Sequence, residues 1–293
     1  MSKVWKNKEW DAYLYLLPAV SIILFFHVMP IFLAAFVSLQ EWDLMSPAKF
    51  VGLSNYRSIL QSDEFYSSLK HTVYFSLGSV PGGILLALFI AILLNSKIKG
   101  LSFYRTLYFI PVITSINAVA IVWKWIYHGQ YGLLNYLIGF LGFPSQDWLQ
   151  DPRFAMPAII MMSIWKGLGY NVVIFLAGLQ NVPGYLYEAA RIDGANAWER
   201  FRHVTWPLLS PVTYFVLVMS TISSFQVFAQ VYMMTPNGGP MGSTTVIVFY
   251  LYQYAFRQYK FGYASALAFI LFLIILTMTL LQKFFVEKKV HYS

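Results

Sequence analysis

Six charged side chains crowd the stretch Pro183–Pro207: Glu188, Arg191, Asp193, Glu199, Arg200 and Arg202. An apolar run long enough to cross a bilayer flanks it on each side, so this charge belongs to an aqueous segment, suited to ion pairs and hydrogen bonds with a partner. The chain offers little else of a catalytic kind. No Gly-x4-Gly-Lys-Ser/Thr loop for nucleotide phosphates occurs, and no His-Glu-x2-His metal pair. His27, His71, His128, His203 and His291 are scattered and read as structural, and no spacing suggests a Ser/His/Asp set. With no cysteine, thiol chemistry and disulfides are also ruled out. No catalytic residue and no metal site is therefore singled out in this chain, although spacing alone does not exclude a Ser/His/Asp set.

Two further polar groups interrupt apolar sequence. Lys166 falls within Ser163-Ile-Trp-Lys-Gly-Leu-Gly-Tyr-Asn171, where Gly167 and Gly169 would loosen a helix and Tyr170 and Asn171 add hydrogen-bonding groups. Either Lys166 lies at membrane depth beside a water-lined cavity, or the span starts later and the lysine sits at its edge. Ser220, Ser223, Ser224, Gln226 and Gln230 form the second group. Ser220 and Ser224 share a helical face that Val227 and Val231 would continue, and amides in hydrocarbon need partners. All twelve acidic residues lie in loops or tails. Ion-coupled carriers often keep an acid at membrane depth, so energy is expected from outside the chain. A secondary carrier stays an alternative, since backbone carbonyls can bind sodium. An intramembrane enzyme or an assembly factor using the loop as a scaffold is another.

The elements that must position these groups are membrane helices. Of 293 residues, 58% are hydrophobic and only 11% charged, outside the range of soluble domains. A net charge of +8 is distributed as small groups at span ends, which is topology and not a nucleic-acid patch. Six spans are expected, at about Tyr13–Leu39, His71–Leu94, Tyr104–Tyr127, Phe154–Leu179, Trp206–Met233 and Tyr263–Phe284. The first is too long for a signal peptide, lacks a small-residue cleavage site and is expected to stay as an anchor. Pro111 is expected to bend the third. With the N-terminus inside, cytoplasmic segments carry twelve Lys and Arg (Lys3, Lys6, Lys8, Lys97, Lys99, Arg105, Arg191, Arg200, Arg202, Lys283, Lys288, Lys289). The outer segments carry six (Lys49, Arg57, Lys70, Arg153, Arg257, Lys260), which favours both termini inside. Trp123, Trp125, Tyr127, Trp148, Tyr250, Tyr252 and Tyr254 then read as interfacial anchors.

Within the charged stretch, Pro183 can open a helix, Glu188-Ala189-Ala190-Arg191 favour one, and Gly194 allows a corner. A second short helix would run until Pro207 opens the next span. Glu188-Ala-Ala, three residues, Gly194, nine residues and Val204-Thr-Trp-Pro207 resembles the EAA loop of permease subunits of binding-protein-dependent ABC importers. The family pattern ends Ile-x-Leu-Pro, and the Ala-Arg-Ile-Asp-Gly-Ala form is similar to the carbohydrate-uptake branch. Phe50-Val-Gly-Leu-Ser-Asn-Tyr56, leading into a short helix at Tyr56–Leu60, resembles the external segment of sugar permeases, and Gly100–Thr106 their cytoplasmic elbow. Thr235-Pro-Asn-Gly-Gly-Pro240 is similar to a Thr-x-Gly-Gly-Pro turn with one residue added, and Gly262-Tyr-Ala-Ser-Ala266 opens the sixth span as in the family.

The resemblance implies an all-α, six-helix type I importer permease in the bacterial inner membrane. Residues 1–69 would form the tail, first span and external loop, 70–284 the transport core with its loop at 183–207, and 285–293 a cytoplasmic tail. Glu188, Ala189, Ala190, Arg191, Asp193, Gly194 and Pro207 would couple to an ATPase. By carry-over, Gly167, Tyr170, Ser220, Ser223, Ser224 and Val227 would grip a sugar, joined on their own chemistry by Lys166, Asn171, Gln226 and Gln230. Rings such as Tyr170 and Phe225 suit the C–H faces of sugars. No cofactor is expected in the chain itself, ATP and Mg belonging to the ATPase. The implied partners are a second, related but non-identical permease, two ATP-binding subunits, an extracytoplasmic solute-binding protein, the sugar and the bilayer, with no nucleic acid. The 235–240 turn would form an outer loop open to the binding protein. Glycerol 3-phosphate, carried by a branch of the same family, is an alternative solute.

Overall fold

The computed structural model describes residues 3–95 and 100–289, so Lys97, Lys99 and His291 lie outside the described residues. Helix α1 (Lys3–Ile23) passes through a π turn at Leu24–Val28 into α2 (Met29–Val37). The widened turn meets a proline: Met29 N–H donates to Leu24, and Pro30 follows with no N–H of its own. A two-residue hairpin, β1 (Gln40–Glu41) and β2 (Lys49–Phe50), then precedes α3 (Ser54–Leu60) and α4 (Asp63–Leu94). Next come α5 (Leu101–Ile113), α6 (Ile116–Ile126), α7 (Leu133–Phe140) and α8 (Pro152–Gln180). The polar stretch holds α9 (Gly184–Ile192) and α10 (Ala197–Arg200), the latter continuing by a π turn at Phe201–Thr205 into α11 (Trp206–Leu208). The remainder comprises α12 (Ser210–Phe225), α13 (Ala229–Met234), two 3-10 turns at Pro236–Gly238 and Pro240–Gly242, α14 (Ile247–Tyr252) and α15 (Phe261–Phe285).

Among the described residues four helices are long and apolar enough to cross a membrane, and counting each of two bent pairs as one span brings the number to six. The predicted boundaries shift in informative places. The second span begins at Asp63, eight residues before His71, because Asp63 and Glu64 complement the positive end of the helix. The third does not bend at Pro111, which sits inside α5; it breaks at Thr114–Ser115, where both residues are extended and α6 leaves at 103°. Pro207 does not open the fifth span either. It lies within the run Ala197–Leu208, and a 64° bend hands the opening to Ser210–Pro211 of α12. As at Pro30, the π turn just before Pro207 accommodates the missing N–H.

The described residues form two compact units. One comprises the chain up to Ser62 together with Leu251–Leu273. In it the span Ala12–Val37 has no buried residue in its most apolar stretch. Asn55 Nδ2 donates to the carbonyls of Ser38 (2.8 Å) and Gln40 (2.9 Å), while the Tyr56 hydroxyl meets Ser38 Oγ at 2.6 Å. The N–H of Phe261 donates to the Trp42 carbonyl at 3.0 Å.

The other unit comprises Asp63–Tyr250 and the chain from Ile274 onward, and its axis is the packing of α4 on α8. Two apolar clusters build it. The first gathers Phe75, Tyr127, Met156, Ile159, Met162, Val231 and Phe249 near the start of α8. The second gathers Ile84, Leu88, Val172, Phe175, Leu179, Leu209 and Val216 near its end. Two of the expected interfacial aromatics belong to this packing instead: Tyr127 and Tyr250 are buried, and the Tyr127 hydroxyl donates to the Ala158 carbonyl at 2.9 Å. A buried phenol with a carbonyl partner in reach is satisfied without water.

Candidate functional site: a cavity at membrane depth and a structured polar loop

Between the two clusters, α4, α8, α12 and the segment after α12 line an open-sided cavity of about 440 Å³. It gathers nine of the ten pathway residues named above: Lys166, Gly167, Tyr170, Asn171, Ser220, Ser223, Ser224, Val227 and Gln230. Gln226 is the exception. It caps α12 in a non-helical conformation and is exposed outside the lining. The helical face therefore does not continue from Ser224 to Val231 unbroken; the chain turns at Gln226–Phe228, and α13 starts anew. Phe225, expected as a stacking surface, is 3% exposed and packs away from the lining.

The α4 wall, with Phe75, Ser79, Val80 and Gly83, was not foreseen from the sequence. Its signal was there in Gly78-Ser-Val-Pro-Gly-Gly83, a run of small residues inside an otherwise bulky span. Ser224 Oγ is pinned to Ser76 Oγ at 2.7 Å, joining α12 to α4, so this hydroxyl is already engaged. Ser79 Oγ and Ser163 Oγ are buried without a partner.

Lys166 is at the midpoint of α8, a helix long and apolar enough to cross a membrane. Its ammonium donates to the carbonyls of Pro111 at 2.6 Å and Val112 at 3.0 Å. In an unbroken helix these two carbonyls would accept from residues 115 and 116. The break at Thr114–Ser115 removes those donors, and Lys166 replaces them at the negative end of α5. The lysine is thus a cap for a broken span as well as part of the cavity wall, and no carboxylate lines the cavity with it. The glycines beside it do not loosen α8, which is continuous through both. Gly167 faces open space, whereas a Cβ on Gly169 would collide with the Tyr108 carbonyl of α5. Close approach of α5 to α8 needs glycine at 169.

At the far end of α8, the polar stretch folds as a structured hairpin. Pro183 caps α9, and Gly194 at φ +80° closes it, with its N–H donating to Arg191 and that of Ala195 to Ala190. Asn196 and Glu199 then form a reciprocal capping box at the start of α10. The Tyr187 hydroxyl meets Thr205 Oγ1 at 3.0 Å, bracing α9 against the π turn. Glu188, Ala189, Arg191, Asp193 and Gly194 are exposed, and Ala190 is half-buried. Beside them, Tyr185, Ile192 and Trp198 also face out, three apolar side chains the charge pattern did not single out. The 235–240 turn is less open than expected: Thr235, Gly238 and Thr244 are buried, Thr235 Oγ1 meets Thr244 Oγ1 at 2.8 Å, and Met241 is the exposed tip. No three metal-ligating side chains cluster among the described residues.

Four helices apolar and long enough to cross a membrane, two bent apolar pairs and a cavity lined by serine, asparagine, glutamine and lysine together mark a membrane protein with a polar site among its helices. Residues 80–291 match the model of the binding-protein-dependent transport system inner membrane component family, and the chain belongs to that family. It is 39% identical over 273 residues to a probable ABC transporter permease protein, YesP, of Bacillus subtilis, covering 92% of this chain and 88% of the relative. It is 37% identical to the trehalose/maltose transport system permease protein MalF of Thermococcus litoralis, covering 92% and 90%. The fold matches, at a TM-score of 0.84 and 22% identity, a chain of a bacterial ABC transporter that imports the acidic polysaccharide alginate, covering 98% and 99%. The chain is accordingly a permease subunit, embedded in the inner membrane and not itself an enzyme.

Proposed function

We propose that this chain supplies half of a saccharide pathway through the inner membrane and is driven through the Glu188 loop by a separate ATPase. Both termini and that loop face the cytoplasm in this reading, in keeping with the twelve-to-six distribution of cations. Two ATP-binding subunits hold the nucleotide and Mg, one docking on this chain's loop and one on the loop of a second, related but non-identical permease. An extracytoplasmic solute-binding protein delivers the sugar. Residues 70–284 act as the transport core, with 1–69 and 285–293 outside it.

The carrying observation is the cavity: hydroxyls and amides from four helices, α4, α8, α12 and α13, converge among the apolar spans, with Tyr170 half-exposed as an apolar ring. Saccharides need that combination of polar partners and a face for their C–H groups. On the loop, Tyr185, Ile192 and Trp198 provide an apolar contact, and the carboxylates of Glu188 and Asp193 are exposed and in no ion pair among the described residues. A braced helix with exposed charges suits a part that transmits a push.

The test is uptake of a labelled maltodextrin or arabino-oligosaccharide by the complete transporter in liposomes, read beside ATP hydrolysis. Ser220→Phe and Ser223→Phe are expected to abolish uptake while ATPase subunits still assemble. Glu188→Lys is expected to uncouple or release the ATPase. Normal uptake in the phenylalanine variants would remove the cavity from the pathway. Uptake that survives ATP depletion and fails with an ionophore would replace the ATP-driven reading by an ion-coupled one.

A further inference from the structure

Helix α7 has its polarity reversed relative to a helix in water. Its buried side is held by Asn135, 7% exposed, whose amide donates to the carbonyls of Gly129 (2.7 Å) and Gln146 (2.9 Å). Its oxygen accepts from Trp148 Nε1 at 2.8 Å and from the Gln146 N–H at 3.1 Å. The outward side is apolar: Tyr136 is 65% exposed, Phe140 72% and Leu141 74%. No charged residue or histidine occurs from Tyr131 to Gln146, although Lys124, His128, whose ring stacks on Tyr131, and Asp147 flank the stretch. An exposed aromatic and aliphatic face of this kind marks an interaction surface.

The depth of that face is fixed by the chain. Asn135 grips the Gly129 carbonyl, three residues past the end of α6, and the Gln146 and Trp148 side of the loop leads straight into α8 at Pro152. The helix is therefore held level with the ends of two spans, at the side of the membrane away from the Glu188 loop. On the neighbouring α6, Ile121, Val122 and Trp125 are exposed as well. We propose that α7 lies in the bilayer interface on that side, with Tyr136, Phe140 and Leu141 set into lipid, and holds the α6–α8 corner at a fixed depth. A water-facing loop would be expected to carry charge here, and the stretch from Tyr131 to Gln146 carries none.

The absence of native cysteine makes the test direct. Single cysteines at Tyr136, Phe140 and, as an aqueous control, exposed Gln130 are labelled with an environment-sensitive fluorophore in the complete transporter in liposomes. Nitroxide lipids labelled near the headgroup and aqueous iodide serve as quenchers. The expected result is blue-shifted emission at positions 136 and 140, at least threefold stronger quenching by the lipid than at 130, and little by iodide. Iodide quenching comparable with that at Gln130 would overturn the proposal. Protection from both quenchers would also overturn it, by showing that the second permease or the binding protein covers this face.

Discussion

Exchange of Lys166 for methionine keeps the reach of the side chain and removes an ammonium that donates to Pro111 at 2.6 Å and Val112 at 3.0 Å. Each charge-assisted bond contributes about 1.5–3 kcal/mol, and the cavity beside it brings water, so the lower end applies and the pair is worth about 3 kcal/mol. Against this, an ammonium at the centre of a membrane helix costs about 2.5–3.5 kcal/mol on insertion scales, a cost that methionine does not carry. The two effects nearly cancel. Lys166→Met is therefore expected to insert and assemble, with melting within about 4 °C of the parent. The damage is local: the two carbonyls at the end of α5 lose their donors, and the 103° break loses its clamp. Amide exchange around residues 113–117 is expected to accelerate about tenfold, which is about 1.4 kcal/mol of local stability, and ATP-driven uptake to fall by a similar factor. Lys166→Arg, which keeps the charge, is expected to preserve most of both. Unchanged exchange and uptake in the methionine variant would refute the clamp. A loss of more than about 10 °C would refute the near-cancellation.

Gly169→Val should be among the most damaging single changes, since its Cβ meets the Tyr108 carbonyl of α5; overpacking of this kind costs about 1–3 kcal/mol or more, read as a lower melting temperature. Gly167→Ala, with nothing within 4 Å of the new methyl group, should melt like the parent or slightly higher. At Gly194, φ is +80° in open space, so valine costs about 1–2 kcal/mol in backbone strain alone while asparagine costs less; uptake is expected to fall for valine and recover for asparagine. The Asp151 carboxyl accepts from the Arg153 side chain and N–H, which holds it below the usual carboxylate range. A depressed acid contributes stability above its unfolded value of about 4 and loses it as pH falls through the folded value. Protection of the amides in the first turn of α8, taken against the unfolded rate at each pH, should fall on acidification below about pH 4 in the parent and much less in Asp151→Asn, which keeps a cap; equal acid sensitivity in both would dismiss this role.

Much of the chain is legible without coordinates because the bilayer is a demanding solvent. It requires long apolar runs, pushes charge to their ends and leaves the Glu188 stretch as an interruption, so class, number of crossings and loop follow from local pattern. The corner at Gly194 was equally readable, since a glycine after Glu188-Ala-Ala-Arg-Ile-Asp is a helix stop on its own. Among the residues that line the cavity, local chemistry picks out Lys166, Asn171 and Gln230, because amides and an ammonium in hydrocarbon demand a reason. Gly167, Tyr170, Ser220, Ser223, Ser224 and Val227 are proposed to grip a sugar through the family resemblance.

What the tertiary structure decided was which partner each polar group finds. Lys166 reads from sequence as a cavity lysine or an edge lysine, but its partners are Pro111 and Val112, some 55 residues earlier. The break that frees those carbonyls lies beyond the proline that seemed to cause it. Ser224 turned out to be engaged by Ser76, and Gln226 was carried out of the lining when the helix ended one residue before it. Helix α7 left no amphipathic signature of the usual sense, because its one polar residue faces inward to hold a loop. Local spacing reports the solvent around a segment; hydrogen bonds between distant segments depend on which helices pack together, and only the folded chain sets that.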